Sequence, residues 1–76
     1  ELVNLYPNPA SDIVMLNGTA LKGKFAVEVY NNIGNKVLVE NSTTTIYTGK
    51  LTAGAYIMVI NLADGKSIRK QFVITR

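Results

Sequence analysis

Apolar and polar residues alternate along most of this chain. In Lys24-Phe25-Ala26-Val27-Glu28-Val29-Tyr30, Phe25, Val27 and Val29 share one face and Glu28 lies on the other, the pattern of a half-buried strand. Tyr56, Met58, Ile60 and Leu62 alternate with Ile57, Val59 and Asn61, which predicts a strand apolar on both sides and therefore central in its sheet. Phe72 and Ile74 alternate with Gln71, Val73 and Thr75 in a last strand over residues 67–75. Shorter stretches of the same kind lie at 2–6, 12–16, 36–40 and 43–47, so seven strands are expected. Helical spacing is nearly absent, and a helix has room only as a single turn over residues 9–12.

Turn residues separate these stretches. Two prolines in Pro7-Asn8-Pro9 remove ladder donors and stop any central strand. Further breaks fall at Asn17-Gly18, Gly23, Ala53-Gly54 and Ala63-Asp64-Gly65-Lys66. The run Asn31-Asn32-Ile33-Gly34-Asn35 suits a type I turn with Gly34 left-handed, closing a hairpin between 24–30 and 36–40. Asp64-Gly65 suits a tight hairpin joining the last two strands. Short strands at this spacing predict an all-β fold, a small immunoglobulin-like antiparallel β-sandwich, with residues 1–76 as one domain. The sequence starts directly in structured-looking residues, as expected of a piece of a longer chain.

Composition settles how such a fold must be held. Apolar residues make up 47% of the chain and charged residues 17%, enough to build a core, and there is no cysteine to staple it. Stability has to come from packing. The net charge of +3 is spread along the chain, and only Arg69-Lys70 are adjacent basic residues. A nucleic-acid binder carries a denser basic stripe interleaved with aromatic platforms, so no nucleic-acid partner is expected. No apolar run approaches the ~20 residues of a membrane span, no signal peptide is visible, and no membrane insertion is expected.

The inventory of reactive groups argues against catalysis. Without histidine or cysteine there is no Ser-His or Cys-His pair and no imidazole or thiolate metal site, so no cofactor is expected. The carboxylates are Glu1, Asp12, Glu28, Glu40 and Asp64. Glu28 and Glu40 approach one another if 24–30 and 36–40 pair, but a small sandwich offers little cleft, and solvated strand residues account better for both. Asn8 with Asp12 and Asn61 with Asp64 are isolated pairs that turn capping explains more economically than calcium. Asn17-Gly18-Thr19 and Asn41-Ser42-Thr43 match the glycosylation pattern, although Asn17-Gly18 reads better as a turn. Four tyrosines (Tyr6, Tyr30, Tyr47, Tyr56) would form a sugar-stacking platform only on one shared face. Their strand phases argue against that, and Tyr56, in step with Met58 and Ile60, belongs to the core.

Four segments in register carry a resemblance. Leu5-Tyr6-Pro7-Asn8-Pro9-Ala10-Ser11-Asp12 resembles the opening of the type IX (Por) secretion system C-terminal sorting domains that Bacteroidota attach to exported proteins. Residues 29–37 are similar to the family's strand, glycine turn, strand element. Residues 51–60 resemble its Leu-x-x-Gly-x-Tyr motif and following strand, with Thr52-Ala53 where the family often has proline. Asp64-Gly65-Lys66 and Lys70-Gln71-Phe72-Val73-Ile74 resemble its closing hairpin and lysine-bearing last strand, and Thr75-Arg76 agrees with its short basic end. The resemblance runs over residues 5–76.

It implies a module that acts by recognition. The domain would sit behind an N-terminal cargo, pass through the periplasm, and be bound by the type IX secretion machinery. That machinery moves the cargo to the outer-membrane surface or the medium, where a surface sortase-like cysteine protease usually removes the domain. Pro7, Asn8 and Pro9 would then hold the entry segment extended, or lie as a lid over one sandwich end. Gly54 is expected to permit a positive φ or a close backbone approach. Tyr56 is expected beneath that turn with its hydroxyl on a backbone carbonyl, as in the tyrosine corner of sandwiches. Both serve as scaffold or as direct contacts. Lys70 shares phase with Phe72 and Ile74 at the end of an apolar face, its stem packed and its amine available to an acidic pocket or to water. The last strand is expected at a sheet edge, open to β-augmentation. The competing reading is an immunoglobulin- or fibronectin-like spacer or carbohydrate-binding module of a secreted enzyme.

Overall fold

The computed structural model describes residues 2–76; Glu1, one of the five carboxylates, lies outside them. The strands are β1 (Asn4–Tyr6), β2 (Ile13–Asn17), β3 (Phe25–Tyr30), β4 (Lys36–Asn41), β5 (Thr45–Tyr47), β6 (Gly54–Leu62) and β7 (Ser67–Ile74). They form a three-stranded sheet ordered β1-β2-β5 and a four-stranded sheet ordered β4-β3-β6-β7, with antiparallel pairing throughout. The two sheets make a small β-sandwich.

Period-two alternation places the core. Val14, Leu16 and Ile46 face inward from the smaller sheet. Phe25, Val27, Val29, Tyr56, Met58, Ile60, Phe72 and Ile74 meet them from the larger one, each buried. The doubly apolar β6 is central, as its pattern requires, between β3 and β7. Its second apolar set, Ile57 and Val59, lies half-buried on the outer face.

Both expected hairpins form. Asn31 N donates to Asn35 O at 2.9 Å and Gly34 takes a positive φ of 90°, while Asn31 Oδ1 accepts from the amides of Ile33 and Asn35. Between β6 and β7, Leu62 N donates to Lys66 O at 2.8 Å, and Asp64 Oδ1 caps the turn through Lys66 N.

Two possibilities that the sequence left open are closed. Residues 9–12 are not helical, because Ala10 is drawn into an isolated parallel bridge with Ile74. Glu28 and Glu40 do not approach one another. Glu28 stands opposite Val39 and Glu40 opposite Val27, so the two carboxylates lie on opposite faces of the sheet. A register shift near Tyr30 also breaks the regularity of β4 at its start.

Candidate recognition surface

The segment between β1 and β2, both in the smaller sheet, runs out along the β7 edge of the larger one and returns. Pro7, Asn8 and Pro9 are exposed, and the peptide bonds before both prolines are cis. Asn8 Oδ1 accepts from Val73 N at 3.1 Å, and Ala10 N donates to Val73 O at 2.8 Å. Thr75 N then donates to Ala10 O at 2.8 Å. Residues 7–10 thus form a strap laid along the far half of β7, where missing proline donors cost nothing because the other side faces solvent. It is bent over residues 7–9 and bound to the sheet edge, with pairing only at Ala10. The Asn8 side chain clamps β7 and does not cap a turn.

A second tie converges on the same place. Arg76 Nη2 donates to Thr48 O and Leu51 O, both at 2.7 Å, and Nε donates to Leu51 O at 3.1 Å. Its Nη1 lies 3.0 Å from Asp12 Oδ1, an exposed ion pair. Beneath it Thr48 is fully buried, its hydroxyl donating to Ser11 O at 2.8 Å and its amide to Asp12 O. The guanidinium fork therefore saturates the carbonyls of the β5–β6 turn, as planar arginine geometry favours. Sequence reasoning missed this cluster. It read Asp12 as a turn cap and Arg76 only as a basic end, and nothing local links residues 12, 48, 51 and 76.

Gly54 opens β6 opposite Ile74 with φ of 151°. No heavy atom lies within 4 Å of where its Cβ would be, so backbone conformation and not crowding is what calls for glycine here. Tyr56 is buried, its ring stacked on Phe72 with centroids 5.7 Å apart. Its hydroxyl donates to Thr52 O at 2.7 Å, the carbonyl bond anticipated for it. Strap, Gly54, Tyr56 and Arg76 thus gather around the Phe72–Ile74 end of β7. Lys70 lies apart, about 13 Å back along the strand from Ile74 at the usual rise. It is half-buried opposite Met58, in phase with Phe72 and Ile74, and the inward face continues past it to Ile68.

The outer face of the larger sheet carries its own polar network. Lys36 Nζ lies 2.8 Å from Glu28 Oε2, while Tyr30 Oη and Asn61 Nδ2 each donate to Oε1 at 3.3 Å. The lysine hydrogen bond above all holds the Glu28 carboxyl below the ordinary glutamate range, against some desolvation, and Glu28 in turn raises Lys36. Glu28 is therefore paired, where a merely solvated residue was expected. Asn61 also accepts from Ser67 Oγ at 2.6 Å, so its side chain serves this network and not the Asp64 turn. The tyrosines do not share one face: Tyr6 and Tyr47 are exposed on the smaller sheet, Tyr30 is on the outer face of the larger, and Tyr56 is in the core.

Fold and surface together define a small β-sandwich interaction module whose distant segments are tied at one end. The chain belongs to the family described as "Secretion system C-terminal sorting domain", which it matches over residues 4–75. No curated protein matched the chain. The domain is a C-terminal sorting signal for type IX secretion. It acts by engaging that machinery on behalf of an N-terminal cargo, and the protein it sorts is secreted, to the surface or the medium. The spacer and carbohydrate-binding reading is not favoured.

Proposed function

We propose that the machinery reads the tied end of the sandwich (Pro7, Asn8, Pro9, Gly54 and Tyr56) together with Lys70 on β7, and that the domain performs no catalysis of its own. The observation that carries this reading is the convergence of the strap, the β5–β6 turn and Arg76 on one half of β7. Three segments far apart in sequence there present a single shape that exists only in the folded domain. Gly54 and Tyr56 set the shape from within, the strap forms its outer wall, and Lys70 supplies a cation for an acidic pocket on the receptor.

In this reading the domain folds in the periplasm, is bound there, and is removed after translocation by a sortase-like cysteine protease whose chemistry belongs to the partner. The test fuses these residues behind a signal peptide and a fluorescent protein in a host with the type IX machinery. The wild-type fusion is expected at the surface or in the medium. Lys70→Ala is expected to reduce export, and deletion of residues 71–76 to leave the cargo in the periplasm. Equal export without the domain ends the reading.

A further inference from the structure

We propose that the open edge of β7 at Arg69 and Gln71 is a docking site for an extended acidic segment of a partner protein, which adds to the larger sheet as a fifth strand. The inference rests on the sorting reading only for the partner's role; the edge itself is a property of the fold.

β7 has β6 on one side and, among the described residues, no strand on the other. Main-chain groups along a strand point alternately to its two sides. Val73 spends both of its groups on the strap, N–H to Asn8 Oδ1 and C=O to Ala10 N, so Val73, Gln71 and Arg69 all face off the sheet. Among the described residues no hydrogen bond reaches the main chain of Arg69 or Gln71 from that side. The strap thus stops one step short of Gln71. It also shows that this edge accepts main-chain pairing, since Ala10 already forms a parallel bridge with Ile74.

The other edges are less suited. β1 and β5 are three residues long, and β4 carries a register shift, a device that blunts edges. β7 pairs with β6 through eight consecutive residues without a shift. Charge selects the occupant. Lys66 and Arg69 are exposed on this stretch, and among the described residues no carboxylate pairs with Arg69. Among the described residues, Asp64 caps its own turn, and Glu28, two strands away, is held by Lys36. An incoming strand with acidic residues therefore gains main-chain bonds from Gln71 and Arg69 and a charge-assisted contact with the guanidinium.

Proline provides a clean test, because Gln71→Pro deletes one outward N–H that the fold does not use. The matched control is Val39→Pro on β4. Ser42 N bonds Phe25 O at 2.7 Å, so the even-numbered residues of this strand face β3 and the Val39 N–H points away. In the export assay, Gln71→Pro and Arg69→Glu are expected to lower export about tenfold or more with near-wild-type melting, and Val39→Pro to leave it unchanged. Wild-type export by Arg69→Glu overturns the proposal, and this variant decides alone if Gln71→Pro fails to melt cooperatively. A second arm does not need the secretion machinery. Titrating the purified domain with a synthetic peptide of alternating glutamate and valine should shift the Arg69 and Gln71 amide resonances and slow their exchange. The Val39 amide should not respond. Silence at Arg69 and Gln71 overturns the docking site, whereas failure of the wild-type fusion to export counts against the sorting reading instead.

Discussion

The two halves of β7 follow one alternating pattern and end in opposite conditions. From Phe72 onward the inward side chains are buried and Val73 is bonded on its outer edge by the strap. From Ser67 to Gln71 the inward residues Ile68 and Lys70 are only half-buried, and the outward main chain meets solvent. An uncovered edge strand invites unwanted pairing, so folds cover or charge it. Here the covered half holds the sandwich together and the charged half stays available. One strand thus carries a half whose outward main chain is spent on the strap and a half whose outward main chain is unspent.

The largest expected effect breaks that contrast at the core. Phe72→Ala removes a ring that is 1% exposed and stacked on Tyr56, and is expected to cost about 3–5 kcal/mol in denaturant unfolding. Ile68→Ala, in the open half, should cost clearly less, because its side chain already meets water. Equal losses would mean that the halves do not differ as described. Next comes Tyr56→Phe, which strands the Thr52 carbonyl and is expected to cost about 1–2 kcal/mol by the same measurement. A phenylalanine variant as stable as the parent would show that the hydroxyl bond contributes nothing net.

The alternation of Phe25-Val27-Val29 and Tyr56-Met58-Ile60 was enough to predict the all-β fold, the inward faces and the central place of β6, because burial imposes period two. Asn31 to Asn35 and Asp64-Gly65 likewise announced their hairpins, since turn chemistry is local. The Tyr56 hydroxyl was legible for the same reason, its acceptor lying four residues back in Thr52. The strap's bond to Val73 and the Arg76 cluster were not. They join residues 65 and 64 positions apart, and no local rule says which carbonyl a distant asparagine or arginine will find. Glu40, read as a solvated strand residue, is half-buried on the face of Val27, because the pairing register and not the strand pattern alone decides which side chains meet.

A smaller effect sharpens the boundary between the halves. Asn8→Ala deletes the side-chain acceptor for Val73 N on an exposed surface, so the expected global loss is only about 0.5–1 kcal/mol. The local effect is more telling. Amide exchange at Val73 should accelerate, while Gln71, which lacks such a partner in the parent, should hardly change. If Val73 stays protected in the variant, its protection comes from elsewhere and the strap does not mark the limit of the open edge.

The smallest effect tests whether the open half depends on the network beside it. Ser67, the first residue of β7, bonds Asn61, which bonds Glu28, which pairs with Lys36. Because the lysine lowers the Glu28 carboxyl in the folded state, the charged form favours folding. That stabilisation is complete above the ordinary glutamate pKa and is lost as the pH falls through the lower folded value. Unfolding measured across this acidic window should show a slight extra decline in the parent that Glu28→Gln abolishes, with the two proteins converging at the acid end. Both partners still reach solvent, so screening keeps the effect small and added salt should shrink it further. A parent curve that parallels the glutamine variant throughout would leave Ser67 anchored by its backbone pairing to β6 alone.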